Sequence, residues 1–306
     1  MDQRIRHLNT LVESLELGPE STALQLYVQE MFEHFVAEIG AEPVSRSREH
    51  DVIVSAGELA EISAGLAPSL SLPSWALESY NQLTKIVARD GFPCIFARRS
   101  NHMRTAWVSF VDDLNEDAGR EHVRKAVLSY LGVLKRYTEA RRTMMPLLVM
   151  VRPVYPHLPL DAYHAQAWKL FQYLHDHDVE PWPSDVPTDP DRGDWSFCFA
   201  GGQLFSNVSA PAHERHKSRN LGDSLVFVMQ PRKNFDVVAG NNPKGRVVRA
   251  EIRRRLQAYE GNAPPSELGY FGTDENREWK QMTLHDGEKP SEARCPFHHR
   301  QSAKKE

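Results

Sequence analysis

The sequence predicts an α+β fold, a single domain in which a mixed or largely antiparallel sheet is flanked by helices. Three observations point there. Strand-like and helix-like patterns alternate only in part, a hairpin signal sits mid-chain, and no Gly/Ser-rich linker divides the chain. A doubly wound parallel fold would alternate throughout and would need no hairpin.

Taken in order, the first clear element is a helix over Thr22–Ile39, where Leu24, Tyr27, Met31, Phe32, Phe35 and Ile39 fall on one stripe. Polar residues 42–51 read as a loop. Ser74 is placed to cap a helix over Trp75–Asp90 that stops at Gly91. Phe92–Ala97 and Thr105–Val111 read as strands, and Asp117–Ala140 as a long amphipathic helix. Pro146–Val151 is an apolar strand run, followed by a helix over Asp161–Asp178. Residues 179–194 are dense in Pro and Asp and form a long loop. Trp195–Phe199 and Leu204–Val208 pair as a hairpin around Gly201-Gly202, Ser224–Gln230 is a further strand, and 245–259 form a basic helix. Residues 1–75 are expected to be a helical N-terminal extension packed on the main domain, 76–297 the catalytic body, and 298–306 a flexible tail.

Composition narrows the function. With 306 residues, 41% hydrophobic and 25% charged, the chain can bury a core of ordinary size. A net charge of −4 leaves no basic field for nucleic acid. The N-terminal residues are interrupted by charges and show no secretory apolar core, and no apolar run is long enough for a membrane span. Three scattered cysteines make no disulfide framework. The expected compartment is the cytoplasm. The Gly-rich phosphate loops, the G-x-S-x-G elbow, H-E-x-x-H and paired C-x-x-C are all absent, so the usual signatures of nucleotide, serine-hydrolase and zinc-protease chemistry are missing.

What remains is an unusual set of 14 histidines. His164, Trp168, Phe171 and His175 share one helix face, a stripe that could line a flat aromatic cofactor, although core packing is the commoner origin of such spacing. The run 209–219 (SAPAHERHKSR) places His213 after a Pro-Ala turn among Arg215, Lys217 and Arg219. An imidazole there can ligate iron and the cations can pair with carboxylates or phosphate, while a basic surface turn explains the same residues. Cys295-Pro-Phe-His-His could offer a thiolate, but a zinc site would need further ligands. Asp189 and Asp191 are candidate acid/base groups, though Asp beside Pro in a turn more often serves a local hydrogen bond.

The runs WPSDVPTDPDRGDWSFCFAGGQLF, SAPAHERHKSR, FVMQPRKNFD, EWKQMTLHDG and CPF, in that order, resemble the YqcI/YcgG family over about Gly91 to Phe297. Two positions depart from the family pattern: Ser209-Ala210 stands where Thr or Cys-Thr precedes Pro-Ala-His, and Gly202 stands where an acidic residue is expected. The resemblance implies a haem-dependent N-oxygenase (a monooxygenase) that hydroxylates, and in some members oxidises further, an amino or guanidino nitrogen of an amino-acid-derived molecule in specialised metabolism. It implies haem b, dioxygen and an external electron donor such as a reductase. It puts His213 forward as the iron ligand, with His175 or His102 next and Cys295 after them. Arg215, Lys217, Arg219 and Arg232 would then pair with propionate or substrate carboxylates. Trp195, Phe197 and Phe199 would wall the pocket, and Asp189 or Asp191 would hold a cationic substrate. Two other readings compete: a non-catalytic haem sensor or carrier, and a metal-free transferase acting on an anionic ligand.

Overall fold

A computed structural model describes residues 48–49, 52–67, 72–287 and 292–299 of the chain. The expected helix over Thr22–Ile39 and the tail beyond 299 lie outside the described residues.

Seven strands form one sheet: β1 (Arg48–Glu49), β2 (Ile53–Ser55), β3 (Trp107–Val111), β4 (Leu147–Val151), β5 (Cys198–Phe199), β6 (Gly202–Ser209) and β7 (Val226–Pro231). Their spatial order is β1-β2-β3-β4-β7-β6-β5. Only β3 and β4 run parallel; every other neighbouring pair is antiparallel. The fold is α+β with a mixed sheet, as the sequence predicts. Residues 48–49 and 52–67, inside the expected N-terminal extension, supply β1 and β2 to this sheet and helix α1 (Ala56–Ser63) to the core on one of its faces.

Side chains alternate across the strands, and each face packs its own core. Trp107, Leu147, Val149, Phe227 and Met229 face one core, completed by α4 (Asp117–Leu134) and α6 (Leu160–Asp176). Val108, Leu148, Met150 and Val226 face the other, which includes Tyr80, Leu83 and Val87 of α2 (Ala76–Val87). The parallel β3–β4 pair requires a crossover, and α4 is that crossover.

Three expectations are corrected. Phe92–Ala97 is not a strand: α3 spans Ile95–Met103, with extended Cys94 as its N-cap and the Sγ accepting the Ala97 N–H at 3.4 Å. Pro93 has no N–H to donate to a ladder, and the cap turns an apolar run into a helix start. The helix expected to reach Ala140 ends at Leu134; Thr138 caps a separate turn, α5 (Glu139–Arg142). Trp75, not Ser74, is the N-cap of α2, and its side chain makes no capping bond. The hairpin turn falls at Ala200-Gly201, both at positive φ, the geometry of a two-residue connection. Beyond β7 come α7 (Arg232–Ala239), α8 (Pro243–Glu260) and α9 (Glu278–Met282).

Candidate functional site

The loop after β6 folds inward because its polar side chains find carboxylates from distant segments. Asp286 accepts the backbone N–H groups of Glu214, Arg215 and His216, each at 2.8 Å. The same carboxylate meets Nδ1 of His213 at 3.2 Å. A carboxylate already accepting three N–H bonds requires a donor at that nitrogen, so the His213 proton sits on Nδ1 and Nε2 is a bare lone pair. His213 is 2% exposed, and its Nε2 has no hydrogen-bond partner among the described residues. Burial lowers its pKa, against the opposing pull of Asp286. Burial alone would raise the Asp286 carboxyl, but the bonds from His213 and the three backbone amides hold it well below the usual range.

His164 of α6 lies beside this dyad, its ring centroid 5.9 Å from that of His213. Its Nε2 is likewise unpartnered, and burial, with His213 and Arg219 nearby, pushes its pKa down to about 3. Both rings are therefore neutral at physiological pH. Further along the loop, His216 Nδ1 meets Glu260 at 3.1 Å, and the Ser218 hydroxyl donates to the same carboxylate at 2.6 Å. Arg219 is buried at 6% exposure. Its guanidinium donates to Asn207 Oδ1 at 2.6 Å, the Val208 carbonyl at 3.5 Å and the Gln281 carbonyl at 3.0 Å.

Two cavities flank the loop. The first, about 320 Å³, lies between one sheet face and α2, α3, α7 and α8. Its walls are mainly apolar and include Leu83, Leu148, Val228 and Leu256. Its charged lining groups are Arg219, Arg232, Arg249, Arg253 and Glu278, and Cys94 also faces it. The second, about 470 Å³, lies at α6 and α9 and includes His164, Trp168, Lys169, Trp279 and His285. His213 lines neither, but its loop neighbours Ser209, Ser218 and Arg219 line the first and His164 the second.

The structure separates the residues singled out from sequence into groups. Arg219 and Arg232 line the first cavity, and Arg232 is ion-paired to buried Glu278 beneath the Phe271 ring. Lys217 is exposed, and Arg215 lines neither cavity. Trp195, Phe197 and Phe199 are almost fully buried and belong to the core on the α6 side, where Phe171 packs on Phe197 at 5.2 Å. His175 is enclosed by the Trp182 and Phe297 rings, and His102 is exposed on α3. Cys295 packs against the same core, burial raising its thiol pKa to about 12. Asp189 and Asp191 are exposed; Asp189 Oδ1 accepts the Asp191 N–H at 3.0 Å in a local turn, and Asp191 lies 3.8 Å from Arg277.

Sequence reasoning missed Asp286, Glu260, Glu278, Arg249 and Arg253. Asp286 and Glu278 stand within the EWKQMTLHDG run, and the signal available was an acidic residue near each end of a run already singled out by the family resemblance.

A model of the YqcI/YcgG family matches residues 83–298. A protein of Streptomyces lavendulae, "Putative N(omega)-hydroxy-L-arginine synthase DcsA", is 36% identical over 81% of this chain and 93% of its own. Two proteins of Bacillus subtilis (strain 168), the uncharacterized YcgG and YqcI, are 32% and 31% identical, each over 74% of this chain and 89% of its own. No solved structure matches the chain.

Proposed function

The chain belongs to the YqcI/YcgG family, and from that premise we propose that it is a haem-dependent N-hydroxylase acting on an amino or guanidino nitrogen of an amino-acid-derived small molecule. The relative named as an N(omega)-hydroxy-L-arginine synthase supports N-hydroxylation and favours a guanidino substrate. The observation that supports the cofactor is the bare, buried Nε2 of His213 with Nδ1 tied to Asp286. Histidines that ligate metals characteristically donate their other ring N–H to a carboxylate, which fixes the tautomer and strengthens the donor nitrogen. The residues present therefore fit an imidazole-ligated iron at His213.

When bound, haem b supplies dioxygen activation, with electrons from an external reductase. The remaining work falls to the chain. His213 would hold the iron through Nε2, and Asp286 would keep the ring in one orientation. The apolar walls of the first cavity would exclude water, which lowers the pKa of a substrate amine and frees the nitrogen lone pair. Glu278, its pKa raised by burial, is the carboxylate among the described lining residues of that cavity. It would take up a proton released at the substrate nitrogen.

Absorbance of the purified protein, expressed with excess haem precursor, tests the reading. A Soret band is expected in the wild type, and its loss or a marked shift in His213→Ala. A band unchanged in His213→Ala removes His213 as the ligand. No band in the wild type removes the haem reading altogether. Product analysis with L-arginine should then show an N-hydroxyguanidine, and no N-oxygenated product from any amino acid tested would refute the activity.

A further inference from the structure

His213 has a neighbour in the same condition. Nε2 of His164, on α6, is also shielded from solvent and has no hydrogen-bond partner among the described residues. Two other enclosed histidines are satisfied: His122 Nε2 meets the Ser109 hydroxyl at 3.1 Å, and His216 Nδ1 meets Glu260 at 3.1 Å. A buried polar atom left unpaired costs about 1–3 kcal/mol, so two such atoms on adjacent rings call for a common cause. Stacking does not supply it. The rings are tilted at 53° with centroids 5.9 Å apart, whereas the stacked Tyr173–His177 pair lies at 22° and 3.9 Å.

Both orphan atoms are lone pairs. Asp286 fixes the His213 proton on Nδ1. In His164 only Nε2 is shut away without a partner, so the ring proton is best placed on Nδ1, where water accepts it. Two lone pairs cannot satisfy each other, but one group that accepts an electron pair from each satisfies both. An ion held by two imidazole nitrogens at about 2.1 Å each sets the ring centroids about 4.6–6.5 Å apart, depending on the angle at the ion. The observed 5.9 Å falls inside that window, so neither ring has to travel. The carboxylate behind His213 is the partner usual for a metal-bound histidine.

We propose that His164 and His213 form a two-imidazole site for one first-row transition-metal ion, each ring donating through Nε2. Two sources offer such an ion: the iron of a haem, and a bare divalent cation. The haem form rests on the function proposed above, and the bare-ion form does not. With haem, His164 is the second axial ligand, and the position that dioxygen needs opens only when His164 withdraws. His164 then restrains the iron instead of assisting it. With a bare ion, the site holds a metal that competes with haem for His213.

Copper(II) probes the shared chemistry, because it binds nitrogen ligands most tightly of the first-row divalent ions. One equivalent is added to the whole purified chain prepared without haem, and electron paramagnetic resonance counts the coordinated nitrogens. Two imidazole nitrogens are expected. Affinity should fall roughly tenfold or more in His164→Ala and in His213→Ala, and should be unchanged in His298→Ala. The haem-loaded chain names the source. A low-spin, six-coordinate absorbance spectrum that turns high-spin in His164→Ala assigns haem iron, whether or not copper binds; His164→Met, whose thioether can replace the imidazole, should stay low-spin. A haem spectrum indifferent to His164→Ala, with copper affinity still lost in both variants, assigns the bare ion. Copper held by two nitrogens with no Soret band keeps this site and loses the haem reading. His164→Gln, close to histidine in size and polarity, guards against misfolding. If His164→Ala and His164→Gln both bind copper as the wild type does and both leave the haem spectrum unchanged, the proposal is overturned, and a water molecule bridges the two nitrogens. A Soret band that still depends on His213 in that case leaves the haem reading standing.

Discussion

Asp286 does two things with one side chain. It closes three backbone amides of the 214–216 turn and it sets the tautomer of His213. Asp286→Asn keeps an acceptor of similar size but loses the charge, so the turn should survive while the fixed imidazole does not. Denaturant unfolding should show a loss of about 1–3 kcal/mol, the scale of weakened charge-assisted bonds. In the same variant a haem Soret band should broaden or shift. A variant with wild-type stability and an unchanged spectrum would show that Asp286 does not orient the ring. The neighbouring His164 makes a pH prediction with a definite sign. Its folded pKa of about 3 lies below the 6.5 of a free imidazole, so the unfolded chain binds the extra proton first. Stability present above pH 6.5 is therefore lost progressively as pH falls toward 3, with a slope of at most about 1.4 kcal/mol per pH unit for one proton. His213, also depressed, adds in the same direction. Asp286, depressed as well, contributes stability that disappears only below about pH 4, where a free carboxyl protonates. Unfolding midpoints between pH 7 and 4 should fall in the wild type and fall less steeply in His164→Gln. Parallel curves would refute the assignment.

At the level of elements, legibility follows the source of the structural signal. The β3, β4 and β7 strands were readable because both faces of the sheet are buried and the apolar runs are continuous. The α3 helix was not, since its start looks like a strand until Cys94 is seen to cap it. The α7 helix opens on Arg-Lys-Asn and its apolar stripe is only Phe235, Val238 and Ala239, too short to read in the sequence; it forms because that stripe closes the cavity and the helix docks on α8. The site divides in the same way. His213 and Arg219 stand in one conspicuous run, whereas their partners arrive through tertiary contacts, Asp286 from 73 residues away. The Trp195-Phe197-Phe199 alternation was legible as a buried pattern, but which surface buried it was not. The long loop before β5 shows how such contacts are held. Gly193 packs so closely on the 273–276 turn that a Cβ would stand 1.9 Å from the Thr273 carbonyl oxygen, while the Gly193 carbonyl accepts bonds from Gly272 N–H and Asn276 Nδ2, both at 2.9 Å. Gly193→Ala must push the two loops apart, and a cost of about 2 kcal/mol or more is expected from overpacking and lost bonds. Limited proteolysis should cut within residues 179–194 faster in this variant. Wild-type cleavage and stability would mean that the loops accommodate the methyl group without separating.

Across the whole molecule the two faces of the sheet are unequal. On one side aromatics of α6, α9 and the segment entering β5, Trp168, Phe171, Phe197 and Trp279 among them, interdigitate against the sheet. The second cavity lies outside that layer, with no strand residue in its lining. The other side contains the cationic cavity, and its outer wall is α7 and α8, whose cavity-facing side chains meet space rather than a packed core. Packing density and local stability rise together, so opening should begin at that wall. Hydrogen exchange followed by mass spectrometry should find amides of residues 232–260 exchanging well before those of β3, β4 and α6. A ligand that fills the cavity binds the closed wall alone, and at a hundredfold excess over its Kd it should add about 2.7 kcal/mol to that local opening. Protection should therefore rise first and most in α7 and α8, with smaller changes in β3 and β4. If both regions exchange at one rate without ligand, the wall and the sheet open as one unit. If ligand protects the two equally, the cavity is not where the molecule's weaker half lies.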